Sequence, residues 1–128
     1  MEIGDYHPLY IEGIEHFNRQ EYYESHDIWE ELWTDYRGPS RRFYQGLIQS
    51  AVALFHFSNG NTHGARKLYH SSRAYLNDYR PKHLGLDLET FFADFERCFA
   101  ALVNSQDTTQ PVQLDPALLP VLHVDGIP

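Results

Sequence analysis

His26 and Glu30 stand four residues apart in the run His26-Asp27-Ile28-Trp29-Glu30-Glu31-Leu32-Trp33. On a helix that spacing lets an imidazole meet a carboxylate on one face. Such a pair can act as a general base, or as a metal ligand held in orientation by its neighbour. A second run, Phe43-Tyr44-Gln45-Gly46-Leu47-Ile48-Gln49 with His56 downstream, sets further polar side chains on an otherwise apolar helix. Stranding one buried polar group costs roughly 1–3 kcal/mol. His26, Glu30, Gln45, Gln49 and His56 must therefore satisfy one another or hold a ligand.

Four readings follow. In the first, His26, Glu30 and His56 supply two imidazoles and a carboxylate, a set suited to a divalent metal ion such as Fe(II), Mn(II) or catalytic Zn(II). Gln45 and Gln49 would then orient ligands or bound water. Only His26 and Glu30 have a fixed local spacing, and the chain lacks both an H-E-x-x-H zinc motif and the paired Glu-x-x-His of di-iron bundles. In the second, Glu30 accepts from His26 and a glutamine amide while Trp33 adds packing and an indole N–H, a purely structural network. In the third, aromatic residues, Trp29 and Trp33 among them, line a small-molecule pocket with His26 or Glu30 as base. In the fourth, the chain is a non-catalytic, tetratricopeptide-like interaction module or homodimer. No nucleophile, glycine-rich phosphate loop or cysteine metal pair is visible, so no reaction is named.

The elements that position these residues read as helices throughout. Pro8 opens a first helix that frays near Asn18; a second runs from about Glu21 to Arg37 and stops at Gly38-Pro39. Ser40 can cap a third, to about Asn59, with Gly60 in the left-handed position beyond it. Thr62 can cap a fourth, ended by Pro81, and Asp87 a fifth that carries Leu88, Phe91, Phe92, Phe95, Phe99 and Leu102 at helical spacing. No period-two run points to a β-sheet. The expected fold is all-α: about five helices built on two antiparallel helical hairpins, a single domain over residues 1–104. Residues 105–128 form a proline-spaced tail whose Leu114, Leu118, Leu119, Val121, Leu122 and Val124 are expected to dock on the domain or on a partner subunit.

The third helix is apolar almost all round, which makes it central. Its main interruption is one line, Arg42, Gln45, Gln49 and His56. The short connection makes helices two and three antiparallel neighbours, so this line is expected to converge on His26 and Glu30. A weak repeat of period 40 relates His16-Phe17 to His56-Phe57, Ile14 to Leu54 and Trp29 to Tyr69, a period typical of stacked helical hairpins.

Composition narrows the partners. Ten Lys and Arg against 18 Asp and Glu leave a net charge of −8, which argues against nucleic acid and anionic membranes. Cys98 is the single cysteine and reads as a packed hydrophobe. The N-terminal residues carry no signal-peptide pattern and no run is long enough to span a membrane, so the expected location is the cytoplasm. The other six histidines, His7, His16, His63, His70, His83 and His123, read as solvent-facing.

The run from Tyr22 to Trp33 resembles a bacterial and archaeal group of small helical proteins, domain-of-unknown-function family 309. The hallmark H-x-x-x-E-x-x-[WY] is matched by His26, Glu30 and Trp33. Gln45-Gly46-Leu47-Ile48-Gln49 and Ala53-Leu54-Phe55-His56 through Gly60-Asn61 are similar to it as well, over about residues 12–80. The resemblance implies an all-α fold and a role for the motif in metal binding, and no known reaction.

Overall fold

The computed structural model describes residues 6–105 and 112–127. Five helices follow in order: α1 (Pro8–Asn18), α2 (Tyr22–Asp35), α3 (Arg41–Ser58), α4 (Thr62–Asn77) and α5 (Leu88–Asn104). A hairpin of β1 (Lys82–His83) and β2 (Leu86–Asp87) precedes α5, and a 3-10 turn forms at Pro116–Leu118. The fold is mostly helical and its helices pack in pairs, as the sequence predicts. Among the described residues no helix is long and apolar enough to cross a membrane.

The helix ends follow local chemistry. Pro8 sits in the first turn of α1, and the His7 ring accepts from the Leu9 N–H. Asp87 caps α5, accepting from the Thr90 N–H at 3.0 Å. The caps expected of Thr62 and Ser40 are not made. Asn61 caps α4 by accepting from the Gly64 N–H at 3.0 Å, while the Ser40 hydroxyl meets His83 Nε2 at 2.7 Å.

The 40-residue repeat is present in the backbone. The corner between α1 and α2 is built like the corner between α3 and α4. Gln20 (φ 67°) and Gly60 (φ 81°) hold the left-handed position. The Glu21 N–H donates to His16 O at 2.9 Å, and the Asn61 N–H to His56 O at 2.8 Å. Buried positions repeat too: Gly13, Ile14 and Phe17 correspond to Ala53, Leu54 and Phe57, and Ser25, Trp29 and Leu32 to Ala65, Tyr69 and Ser72. Each hairpin leaves an apolar side that the next element must cover. Gly13 leaves room for the fully buried Trp29 indole, whose N–H donates to Tyr10 O at 3.2 Å.

α5 covers one side of these hairpins with aromatic rings. Phe91 packs on Phe17, Phe95 on Tyr69, and Phe99 on both Phe57 and Tyr69, at ring separations of 4.7–6.2 Å. Cys98 is buried among them, and that burial pushes its thiol up to about 12.

The β-hairpin corrects the expectation of no sheet. Leu84 (φ 45°) and Gly85 (φ 74°) form a turn with both central residues left-handed, the geometry that two-residue hairpins favour. Strands of two residues are too short to show alternation. His83, expected in solvent, is half-buried between the rings of Phe43 and Tyr79, at 4.7 and 4.6 Å. His16 is half-buried as well, its Nδ1 2.9 Å from Glu21 Oε1.

Residues 112–127 include contacts to the same molecule. The Asn18 amide holds both main-chain groups of Leu122, donating to its O at 2.9 Å and accepting from its N–H at 2.7 Å. Val124 bridges Leu86, and Leu122 and Val124 are buried. Two of the tail's prolines, Pro111 and Pro128, lie outside the described residues.

Candidate functional site

Trp29 sets the rotation of α2. Its indole is lodged against α1, so the flank about 60–100° round the helix, which carries His26 and Glu30, faces toward α3 and its edge. His26 Nε2 lies 2.9 Å from Glu30 Oε2. The His26 side chain is 22% exposed and that of Glu30 55%. The expected burial of Glu30 is thus corrected: it stands on the rim, furthest round from Trp29, where its charge keeps its water.

His26 borders a cleft of about 160 Å³ lined by Tyr22, Tyr23, Val52, Phe55 and His56. That is room for about five waters at ~30 Å³ each, or for one small ring. The walls come from the first turns of α2 and the last turns of α3. The Tyr23 ring lies 5.6 Å from that of His26 and 5.5 Å from that of Phe55. His26 Nδ1 is buried and makes no hydrogen bond, although Asp27 Oδ1 is 3.4 Å away. Glu30 is the nearer carboxylate, so on this hydrogen-bond assignment the ring proton sits on Nε2 and the buried Nδ1 carries a lone pair. His56 is oriented from α4. Asn61 spends its side-chain oxygen on Gly64 and turns its NH₂ to His56 Nδ1 at 3.3 Å. On this hydrogen-bond assignment the His56 proton sits on Nε2.

The second hairpin offers a comparison. Forty residues after His26 stands Arg66, whose guanidinium donates to Leu102 O near the end of α5, at 3.1 Å. At that position the polar group is used to terminate a neighbouring helix. At His26 the buried nitrogen is left over.

Of the polar line of α3, His56 shares the cleft with His26, and the rest does not converge there. Gln49 accepts from the Ser71 hydroxyl of α4, and Arg42 stacks on Tyr75 of α4 at 4.7 Å. Gln45 is half-buried on the same line. The reason is Gly46. A Cβ there would come within 2.7 Å of Leu76 Cγ, so α4 approaches α3 closely on that flank and takes up the neighbouring polar side chains. The flank toward α2 carries Ile48, Val52 and Phe55 instead. Trp33 is half-buried under the Arg41 guanidinium, 3.9 Å from its ring, and its indole N–H makes no hydrogen bond to Glu30 or any other group.

The structure therefore sets His26 and His56 on one cleft with Glu30 bonded to His26 beside it, turns Gln49 to α4, leaves Gln45 half-buried, and turns Trp29 to α1. Among the described residues, no three or more His, Cys, Asp or Glu are grouped so as to hold a metal ion. Sequence reasoning missed the cleft's walls. Tyr23 with His26, and Val52 with Phe55 and His56, have the i, i+3 and i+4 spacings that could have revealed them.

Fold and site together define a small protein of two tandem helical hairpins with a histidine–carboxylate pair on its second helix. Residues 10–68, a little under half of the chain, match the family described as "Domain of unknown function (DUF309)". The match runs from α1 into α4 and includes every residue of the cleft. The chain is also 38% identical over 86 residues to the "Uncharacterized protein YpuF" of Bacillus subtilis (strain 168), an alignment covering 64% of this chain and 49% of that protein. The chain thus spans about half the length of this curated relative.

Proposed function

We propose that this protein binds a small ligand in the cleft between α2 and α3, with His26 as the recognising group and Glu30 as its orienting partner. The observation that carries the reading is the buried, unbonded Nδ1 of His26 opposite a carboxylate on Nε2. A stranded buried acceptor costs about 1–3 kcal/mol, and a ligand donor would recover much of that. The ligand is a small ring or branched apolar body bearing one O–H or N–H. The body packs on Tyr22, Tyr23, Val52 and Phe55, while the donor meets Nδ1.

A divalent metal ion is the second occupant this chemistry supports. An imidazole whose other nitrogen faces a carboxylate is the usual arrangement of a ligating histidine. His26 and His56 would supply two nitrogens, leaving other positions to water or a bound anion. The ligand set is too sparse to favour this over an organic occupant. The reading takes the protein as cytoplasmic and, at a net charge of −8, without a nucleic-acid partner.

The test is a long-range ¹⁵N–¹H correlation spectrum of the histidine rings, titrated with phenol and separately with Zn(II) and Mn(II). Saturable movement of the His26 and His56 signals with phenol, absent in His26→Ala, supports the reading. Movement with Zn(II) and paramagnetic broadening with Mn(II), with phenol inert, would assign the site to metal. Ring signals unmoved by all three would overturn both.

A further inference from the structure

We propose that the face formed by α2, α3 and α4 is the interface of a two-fold dimer of this chain. The inference does not rest on a ligand at His26, although the face shares Tyr23, Val52 and Phe55 with that cleft.

On α3 that face presents Ile48, Val52 and Phe55, half-buried on the side toward α2, beside half-buried Gln45, Gln49 and His56 and exposed Arg42. Beside it Tyr23 is 52% exposed, one of two large hydrophobic residues so open among those described. The two flanks differ in charge. The rim of α2 presents Glu24, Asp27, Glu30 and Glu31, all exposed. The rim of α4 presents His63, Lys67 and His70, also exposed.

The repeat places these rims in register. α2 and α4 start 40 residues apart, run parallel, and leave equivalent corners. Asp27 therefore stands at the same height on one side of α3 as Lys67 does on the other, and Glu30 at the height of His70. A two-fold axis parallel to α3 lays α3 on its copy and carries each acidic rim over the opposite rim, where Lys67 is the cation. Asp27 then faces Lys67 of the partner subunit, and the contact is made twice. An axis across the helices would set acid on acid, which costs free energy. Charge thus selects one of the two symmetric packings.

The size is adequate for a modest dimer. An 18-residue α3 is about 27 Å long at ~1.5 Å per residue. Three helices spaced ~8–10 Å apart make a face on the order of 600 Å² in projection. That approaches the ~800 Å² per partner of a standard interface.

The test is sedimentation velocity on the full chain at low salt, over micromolar to millimolar concentration. A reversible dimer is expected. Asp27→Lys or Lys67→Asp alone should raise the dissociation constant on the order of tenfold or more, and the Asp27→Lys/Lys67→Asp double variant should return it to the parent value. Circular dichroism checks that each variant remains folded. A parent that stays monomeric throughout would overturn the proposal, as would a dimer indifferent to the single reversals or a double variant that fails to recover. A monomer that instead binds a lysine–leucine amphipathic model helix would assign the face to a different, basic partner.

Discussion

Replacing Gly13 by Ala should destabilise this protein even though alanine is the better helix former. The added Cβ falls on the indole of Trp29, a fully buried ring with no room to retreat, whose N–H is bonded to Tyr10 O one turn away. Overpacking a rigid core costs about 1–3 kcal/mol. Displacing the indole also strands a buried donor, a further ~1–3 kcal/mol. The helix-propensity gain from Gly to Ala returns only about 1 kcal/mol. The expected net loss is therefore about 1–5 kcal/mol, and the middle of that range is roughly 10 °C in melting temperature for a chain of this size. The repeat supplies a control, because the corresponding positions hold Ala53 and Tyr69. Gly13→Ala combined with Trp29→Tyr grafts the second hairpin's pair onto the first and should be markedly more stable than the sum of the single variants. Urea denaturation of the four proteins measures the cycle. Because Trp29 sets the rotation of α2, Gly13→Ala should also shift the His26 ring signals. A Gly13→Ala protein as stable as the parent would refute the account of how the two helices approach.

Other outcomes follow from the same geometry. Glu30 is mostly exposed, so Glu30→Gln and Glu30→Ala should each cost under ~1 kcal/mol in chemical denaturation. Both should nonetheless alter the proton distribution between the two His26 nitrogens, read by ring ¹⁵N shifts. Burial lowers the pKa of His83 below its ordinary 6.5, so the unfolded chain takes up a proton there before the folded one does. That contribution to stability is full above pH 6.5 and is lost as pH falls from 6.5 through the lower folded value. Thermal melts across this range should fall less steeply in His83→Gln; an identical slope would place the acid sensitivity elsewhere. Leu122→Ala should cost about 2–4 kcal/mol by opening a buried site, and Asn18→Ala about 1–3 kcal/mol by stranding two main-chain groups, both read by urea denaturation.

Much of the fold was legible in the chain because it is decided over short distances. Pro8, Gly38-Pro39, Gly60 and Asp87 mark helix ends through their own backbone and side-chain chemistry. The four-residue spacing of His26 and Glu30 determines their meeting whatever surrounds α2. The period of 40 was faint in identities and clear in three dimensions, since a corner can keep its backbone geometry while its residue types change: Gln20 stands where Gly60 does, and Glu21 where Asn61 does.

What the tertiary structure decided is which neighbour each helix face would meet. The sequence showed that α3 carries a polar line and an apolar edge, but not which would lie beside α2. That choice turns on the rotation of α3 about its axis, which is settled by contacts remote in sequence: Gly46 admits Leu76 and Tyr75 of α4, and Gln49 and Arg42 go with them. Rotation also leaves Val52, Phe55 and His56 to close a cleft with Tyr23 and His26. A side chain's type and spacing are local properties. Its partner is set by close packing between helices, where the volume of one residue, as at Gly13 and Gly46, determines how near the next helix can come.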